Sequence, residues 1–116
     1  MTYDILRKHQ RVELALAVEV KTENAEFTAK TKDVSMGGCC ILSPYPLKEN
    51  SVLEISLFVV VDGIENIDGE SLATKASVQW AIHDEEDQSE YNHAAGLQFV
   101  NLSTEQKNWL KLNLSS

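Results

Sequence analysis

Apolar and polar residues alternate cleanly along positions 12–21, VELALAVEVK. Val12, Leu14, Leu16, Val18 and Val20 fall on one face, and Glu13, Ala15, Ala17, Glu19 and Lys21 on the other. This period of two predicts a strand with one buried face. After the polar turn Glu23–Glu26, a second strand is expected over Phe27–Lys32. Asp33-Val34-Ser35-Met36-Gly37-Gly38 breaks the pattern, and its paired glycines permit positive φ and close backbone approach. Cys39–Ser43 reads as a short apolar strand ended by Pro44 and Pro46, which cannot donate to a ladder.

The second half continues in the same way. Val52–Val61 is a nearly unbroken apolar run, which predicts a long strand covered in places on both faces. Asp62-Gly63 signals a turn into an acidic hairpin loop over 62–70. Leu72–His83 alternates again, with Thr74, Ala76, Val78, Trp80 and Ile82 assigned to one face and Trp80, like Trp109, expected in the core. Positions 84–93 are expected to form a mobile, solvated loop, and Ala95–Val100 the last strand. Ser103 and Gln106 are spaced as a capping box for a helix running to about Leu114. In that helix Leu110 and Leu114 share a face beside Trp109. Six short strands with no helix between them predict an all-β fold plus one helix: a six-stranded antiparallel β-barrel, which removes exposed edges, with a C-terminal α-helix covering one side. The 116 residues suit a single domain (1–116), divided into a flexible N-terminal arm (1–11), a barrel (12–100) and a helix (103–114).

Charge sharpens the picture. The formal net charge is -8, which disfavours binding to DNA or RNA. The N-terminal eleven residues run the other way: Arg7, Lys8 and Arg11 outnumber Asp4 there, and Arg7 and Arg11 are the only arginines in the chain. Guanidinium forks suit phosphates and base edges, so the pair suggests a compact anionic ligand held locally against an unfavourable field. No apolar run approaches the ~18 residues of a membrane helix, so no membrane insertion is expected. The N-terminus lacks a secretory pattern, which places the protein in the cytoplasm. Cys39 and Cys40 are adjacent and unsuited to bridging each other; one is expected to point inward as a small hydrophobe. His83 and His93 flank the acidic loop without zinc-site spacing, so no metal is expected. No nucleophile motif or Gly-rich phosphate loop is present, and no enzymatic activity or cofactor is expected.

Two motifs remain. Arg7-x-x-x-Arg11 precedes the first strand, and Asp33-x-Ser35-x-x-Gly38 joins the second strand to the third. Each has a plainer reading: the first as a solvated arm, the second as a turn in which aspartate and serine bond back to the backbone. In this order, with a clean strand between them, they resemble the PilZ domain. The resemblance extends to Ala76-Ser77-Val78-Gln79-Trp80 and Gly96-Leu97-Gln98-Phe99-Val100-Asn101-Leu102-Ser103, and covers about Leu6 to Leu114.

The resemblance implies a stand-alone bacterial receptor for the second messenger cyclic di-GMP. Arg7 and Arg11 would contact phosphate oxygens and the guanine N7/O6 edge, and one could stack on a purine. Asp33, acceptor-only when ionised, suits the guanine N1–H and N2–H₂ donors and should reject adenine. Ser35 would bond a phosphate oxygen or an exocyclic amine, and Gly37 and Gly38 would let the backbone approach the ligand. Leu6, Lys8 and His9 are secondary candidates. Leu6 stands where a further arginine would help neutralise a stacked nucleotide pair, so one nucleotide per chain is expected. Binding is expected to order the N-terminal arm and signal to a downstream protein partner. The alternative is a ligand-free PilZ-like protein–protein adaptor.

Overall fold

The computed structural model of the chain describes residues 16–61, 64–65 and 71–114. Among the described residues, seven strands and one helix follow in order: β1 (Leu16–Lys21), β2 (Glu26–Val34), β3 (Gly38–Ser43), β4 (Val52–Val61), β5 (Ile64–Glu65), β6 (Ser71–His83), β7 (His93–Val100) and α1 (Thr104–Leu114). Six strands pair antiparallel in the cyclic order β1-β2-β3-β7-β6-β4, and β4 pairs back onto β1, closing the barrel. The two-residue β5 adds only a short return on β4. The expected barrel and C-terminal helix are therefore both present. The 62–63 turn, most of the 62–70 loop, and residues 12–15 of the first expected strand lie outside the described residues.

Alternation builds the core. Leu16, Val18 and Val20 from β1, Leu53, Ile55 and Leu57 from β4, Leu72, Ala76 and Val78 from β6, and Ala95, Leu97 and Phe99 from β7 all point inward. Through Phe58, β4 alternates instead of being covered on both faces: its odd positions are buried, while Val52 is 60% exposed. A buried hydroxyl acts as an anchor at Thr31, whose Oγ1 accepts from the Leu16 N–H at 2.9 Å and donates to the Leu16 carbonyl at 3.5 Å. Satisfying that polar group inside the core ties the start of β1 to β2.

The helix begins where its capping box predicts. The Ser103 N–H donates to Gln106 Oε1 (2.8 Å), and the Gln106 N–H donates to Ser103 Oγ (3.1 Å). Two otherwise orphaned amides are thus satisfied reciprocally. The same Gln106 amide donates to the Ala73 carbonyl of β6, fixing α1 against the strand it covers. Trp109 and Leu110 are buried in the core and Leu114 packs against it.

One close approach controls the β3–β7 seam. A Cβ on Gly38 would lie 1.9 Å from the Leu97 carbonyl oxygen. At the other end of the seam the register pairs His93 with both Ser43 and His83. The His83 and His93 rings stack, with centroids 4.4 Å apart. Burial, and then the neighbouring His83, hold the His93 imidazole below its ordinary value.

Gly38→Ala should push β3 from β7 and cost about 1–3 kcal/mol or more in urea unfolding, as overpacking against unyielding backbone does. The His93 shift has a defined sign. The folded state takes up the proton less readily than the unfolded chain, so stability present above pH 6.5 should decline as pH falls through 6.5. His93→Gln should remove that part of the acid slope in denaturation curves recorded from neutral to mildly acidic pH.

Candidate ligand-binding face

The Asp33–Gly38 turn owes its shape to Ser35. Its side chain is almost fully buried, at 4% exposure. The hydroxyl accepts from the N–H groups of Gly37 (3.2 Å) and Gly38 (3.3 Å) and donates to the Gly38 carbonyl (3.2 Å). The Ser35 N–H donates to that same carbonyl at 2.8 Å, and the Gly37 carbonyl accepts from the Phe99 N–H of β7 at 2.9 Å. A hydroxyl has one donor and two acceptor sites, and here all three are in use. Ser35 holds the turn in position, as the plainer reading of the motif expected. The space that a Gly38 side chain would invade is likewise occupied by β7 itself.

Asp33 reaches the outside of the barrel through a bulge. The β2–β3 register shifts between Thr31 and Asp33, so Thr31 pairs with Ile41 but Asp33 pairs with Cys40. Thr31 and Val34 are buried while Asp33 remains half-buried. A bulge adds one residue to one strand and so re-aims the side chains beyond it.

A second bulge acts on β6. The β6–β7 register shifts between Val78 and Trp80, pairing Val78 with Leu97 and Trp80 with Gly96. The simple alternation that assigned Trp80 and Ile82 to the buried face ends there. Trp80 is 38% exposed and Ile82 60%, and Ala81 packs against the core in their place. Trp109 stays in the core as expected. A Cβ on Gly96 would lie 2.1 Å from Trp80 Nε1, so the indole rests directly on the glycine backbone. One of the two cysteines points inward, as expected. Cys39 faces the core and Cys40 the opposite side, yet both are buried, Cys40 at 6% exposure.

Register then assembles a row across four strands: Asp33 (β2), Cys40 (β3), Gly96 (β7) and Trp80 (β6). Directly paired residues project to the same side of a sheet. The row therefore places a carboxylate and an indole on one outer face, with a small side chain and a glycine between them. The sequence singled out Asp33 as a candidate and assigned Trp80 to the core. The available signal was Gly96, a glycine inside a strand, which marks close approach of another group. Arg7 and Arg11, with Leu6, Lys8 and His9, lie outside the described residues.

Other features are less suited to an anion. A surface recess of about 350 Å³ on β1, β2 and β4 is lined by Glu19, Glu26 and Glu54, with Lys21 as its cation. Among the described residues, no group of three or more His, Cys, Asp or Glu could hold a metal ion. No helix among them is long and apolar enough to cross a membrane.

Comparisons with known proteins agree with this architecture. The family profile described as PilZ domain matches residues 5–114. The Bacillus subtilis inhibitor of motility MotI/DgrA superposes with a TM-score of 0.72 at 14% identity, over 94% of this chain and 49% of that one. This chain thus spans about half the length of the motility inhibitor. The PilZ domain of CeSA from a cellulose-synthesizing bacterium gives 0.59 at 20% identity, over 90% of this chain and 94% of that one. The PilZ domain of Escherichia coli YcgR, solved with c-di-GMP, gives 0.69 at 15% identity, over 94% and 88%. No curated protein sequence matches the chain. With the profile covering nearly all of its length, over the barrel and the helix alike, the chain belongs to the PilZ domain family.

Proposed function

We propose that this protein is a cytoplasmic receptor for cyclic di-GMP that acts by binding and carries out no catalysis. The observation that carries the reading is the outer-face row that ends in Asp33 and Trp80. The two ends have complementary chemistry. Asp33 accepts hydrogen bonds from the N1–H and N2–H₂ edge of a guanine. Trp80 offers an exposed ring surface for a purine or ribose. Gly96 and Cys40 keep the ground between them low. The E. coli YcgR domain that shares this fold was solved with the same nucleotide, which supports the ligand assignment.

Arg7 and Arg11 supply the positive charge in this reading. Leu16 enters the barrel bonded to Thr31, two positions before Asp33. Arg11 precedes Leu16 by five residues, so the chain can carry it at most about 18 Å from that point. That reach covers the turn. Ser35 and Gly38 act by shaping the turn, and Gly37 presents backbone beside the ligand. The nucleotide bridges the 1–11 segment to the Asp33–Gly38 turn, and the rearranged segment is what a downstream protein reads. Leu6 in place of a third arginine limits uptake to one nucleotide per chain.

Isothermal titration with cyclic di-GMP, beside cyclic di-AMP, tests this reading. One-to-one binding of the guanine nucleotide and little or none of the adenine one is expected. Arg11→Ala and Asp33→Ala should each cost about 2–5 kcal/mol in affinity, the range for truncating one partner of a charged hydrogen-bonded contact. Trp80→Ala should cost about 1–3 kcal/mol, the range for one base stacked on an aromatic ring. No binding of cyclic di-GMP overturns the receptor reading in favour of a ligand-free adaptor.

A further inference from the structure

We propose that the far end of β6, Gln79–His83, is a docking edge that takes an extended, basic and partly apolar segment of a partner protein as an added β-strand. This edge is built from backbone and is independent of whether the chain takes up a nucleotide.

β6 is longer than the strand beside it. β4 pairs with it from Phe58–Ser71 to Val52–Ser77. One further rung follows, in which the Val78 N–H donates to the Ser51 carbonyl (2.9 Å) and the Val78 carbonyl accepts from the Asn50 N–H (2.8 Å). There Asn50, with a φ of 66°, takes the chain out of line in a left-handed conformation that asparagine tolerates. β6 continues to His83, and among the described residues its strand partner there is β7 alone. Trp80 pairs with Gly96, Ala81 with Ala95, Ile82 with Ala94 and His83 with His93.

In an antiparallel ladder, successive residues direct their N–H and C=O groups to alternate sides. Ala81 directs its N–H away from β7, where it donates to Glu49 Oε1 at 3.3 Å. By the same alternation His83 directs its amide and carbonyl to that side. An exposed carboxylate thus stands where the next strand's carbonyl would, a plug of the kind that protects sheet edges. The side chains suit an added strand as well. Trp80 and Ile82 are exposed on the outer face, while Ala81 packs inward. A strand laid along this edge continues the line of β4. It sets alternate side chains beside Trp80 and Ile82 and gains main-chain hydrogen bonds from Ala81 and His83.

Charge selects the occupant. Admitting a strand displaces Glu49 from the Ala81 N–H, and a lysine or arginine on the incoming segment gives the freed carboxylate a partner. Asp84, also exposed, follows His83 at the end of the edge. Lys48 in the turn beside Glu49 offsets one of these two carboxylates and leaves the edge acidic. A second copy of this chain would bring the same carboxylates and a net charge of -8 to the contact, so like charges oppose self-pairing. A basic strand with apolar alternate positions is the complement.

The test adds the peptide KKVTVTVKK to the full chain, with EEVTVTVEE as its charge-reversed control. At about 1 mM the basic peptide should slow hydrogen exchange of the Ala81 and His83 amides, read residue by residue by NMR. At roughly 0.1 M salt it should bind about tenfold or more tightly than the acidic one. Ala81→Pro removes the edge donor without taking a hydrogen bond from β7, and should weaken the basic peptide about tenfold or more. A basic peptide N-methylated through its central TVT leaves the protein untouched and should lose binding likewise, whatever the fate of the proline variant. Unprotected Ala81 and His83 amides, equal binding of the acidic peptide, or undiminished binding to Ala81→Pro or by the methylated peptide would each overturn the docking edge. Protection of the same amides without peptide, growing with protein concentration, would overturn it in favour of a second copy.

Discussion

Two single-residue bulges decide where the chemistry of this barrel points. In a closed barrel every strand is committed to an inside and an outside, and a side chain's destination follows from counting by two. Inserting one residue at Lys32 and another at Gln79 resets that count on β2 and β6. Each bulge delivers one functional group to the outer face, Asp33 in one case and Trp80 in the other. Because β3 and β7 lie between them in register, both groups come to rest in one row.

The turn beside that row spends most of its motif on architecture. Of the residues in Asp33-x-Ser35-x-x-Gly38, only the aspartate keeps an outward aspect. The serine hydroxyl is consumed by backbone groups of its own turn, and the glycine is required by the Leu97 carbonyl. Substituting either would act on the position of Asp33 and on the β3–β7 seam before it acted on any ligand. Within the fold, the motif is a rigid mount for one carboxylate.

Electrostatics sets the second constraint. An acidic body receives a dianion only where cations are concentrated, and the arginines are confined to the N-terminal segment. The remaining lysines on the outer face are partly engaged, as Lys30 is with Tyr91.

Local physics made much of the molecule legible in its residues. The period-two runs located the strands, the capping box located the helix start, and the Asp33–Gly38 break located the turn. All of these depend on neighbours a few positions apart. The arginines stood out through their spacing and the family resemblance, and lie outside the described residues. What alternation could not show was its own interruption. A bulge is a property of two paired strands, because the extra residue exists only relative to a partner's count. The outward turn of Trp80, the burial of Cys40 beside it and the neighbour that demands Gly38 were therefore decided only when β2, β3, β7 and β6 were brought into register. The same holds for the contact between Lys30 and Tyr91, which are sixty-one residues apart in sequence and meet only across the barrel surface.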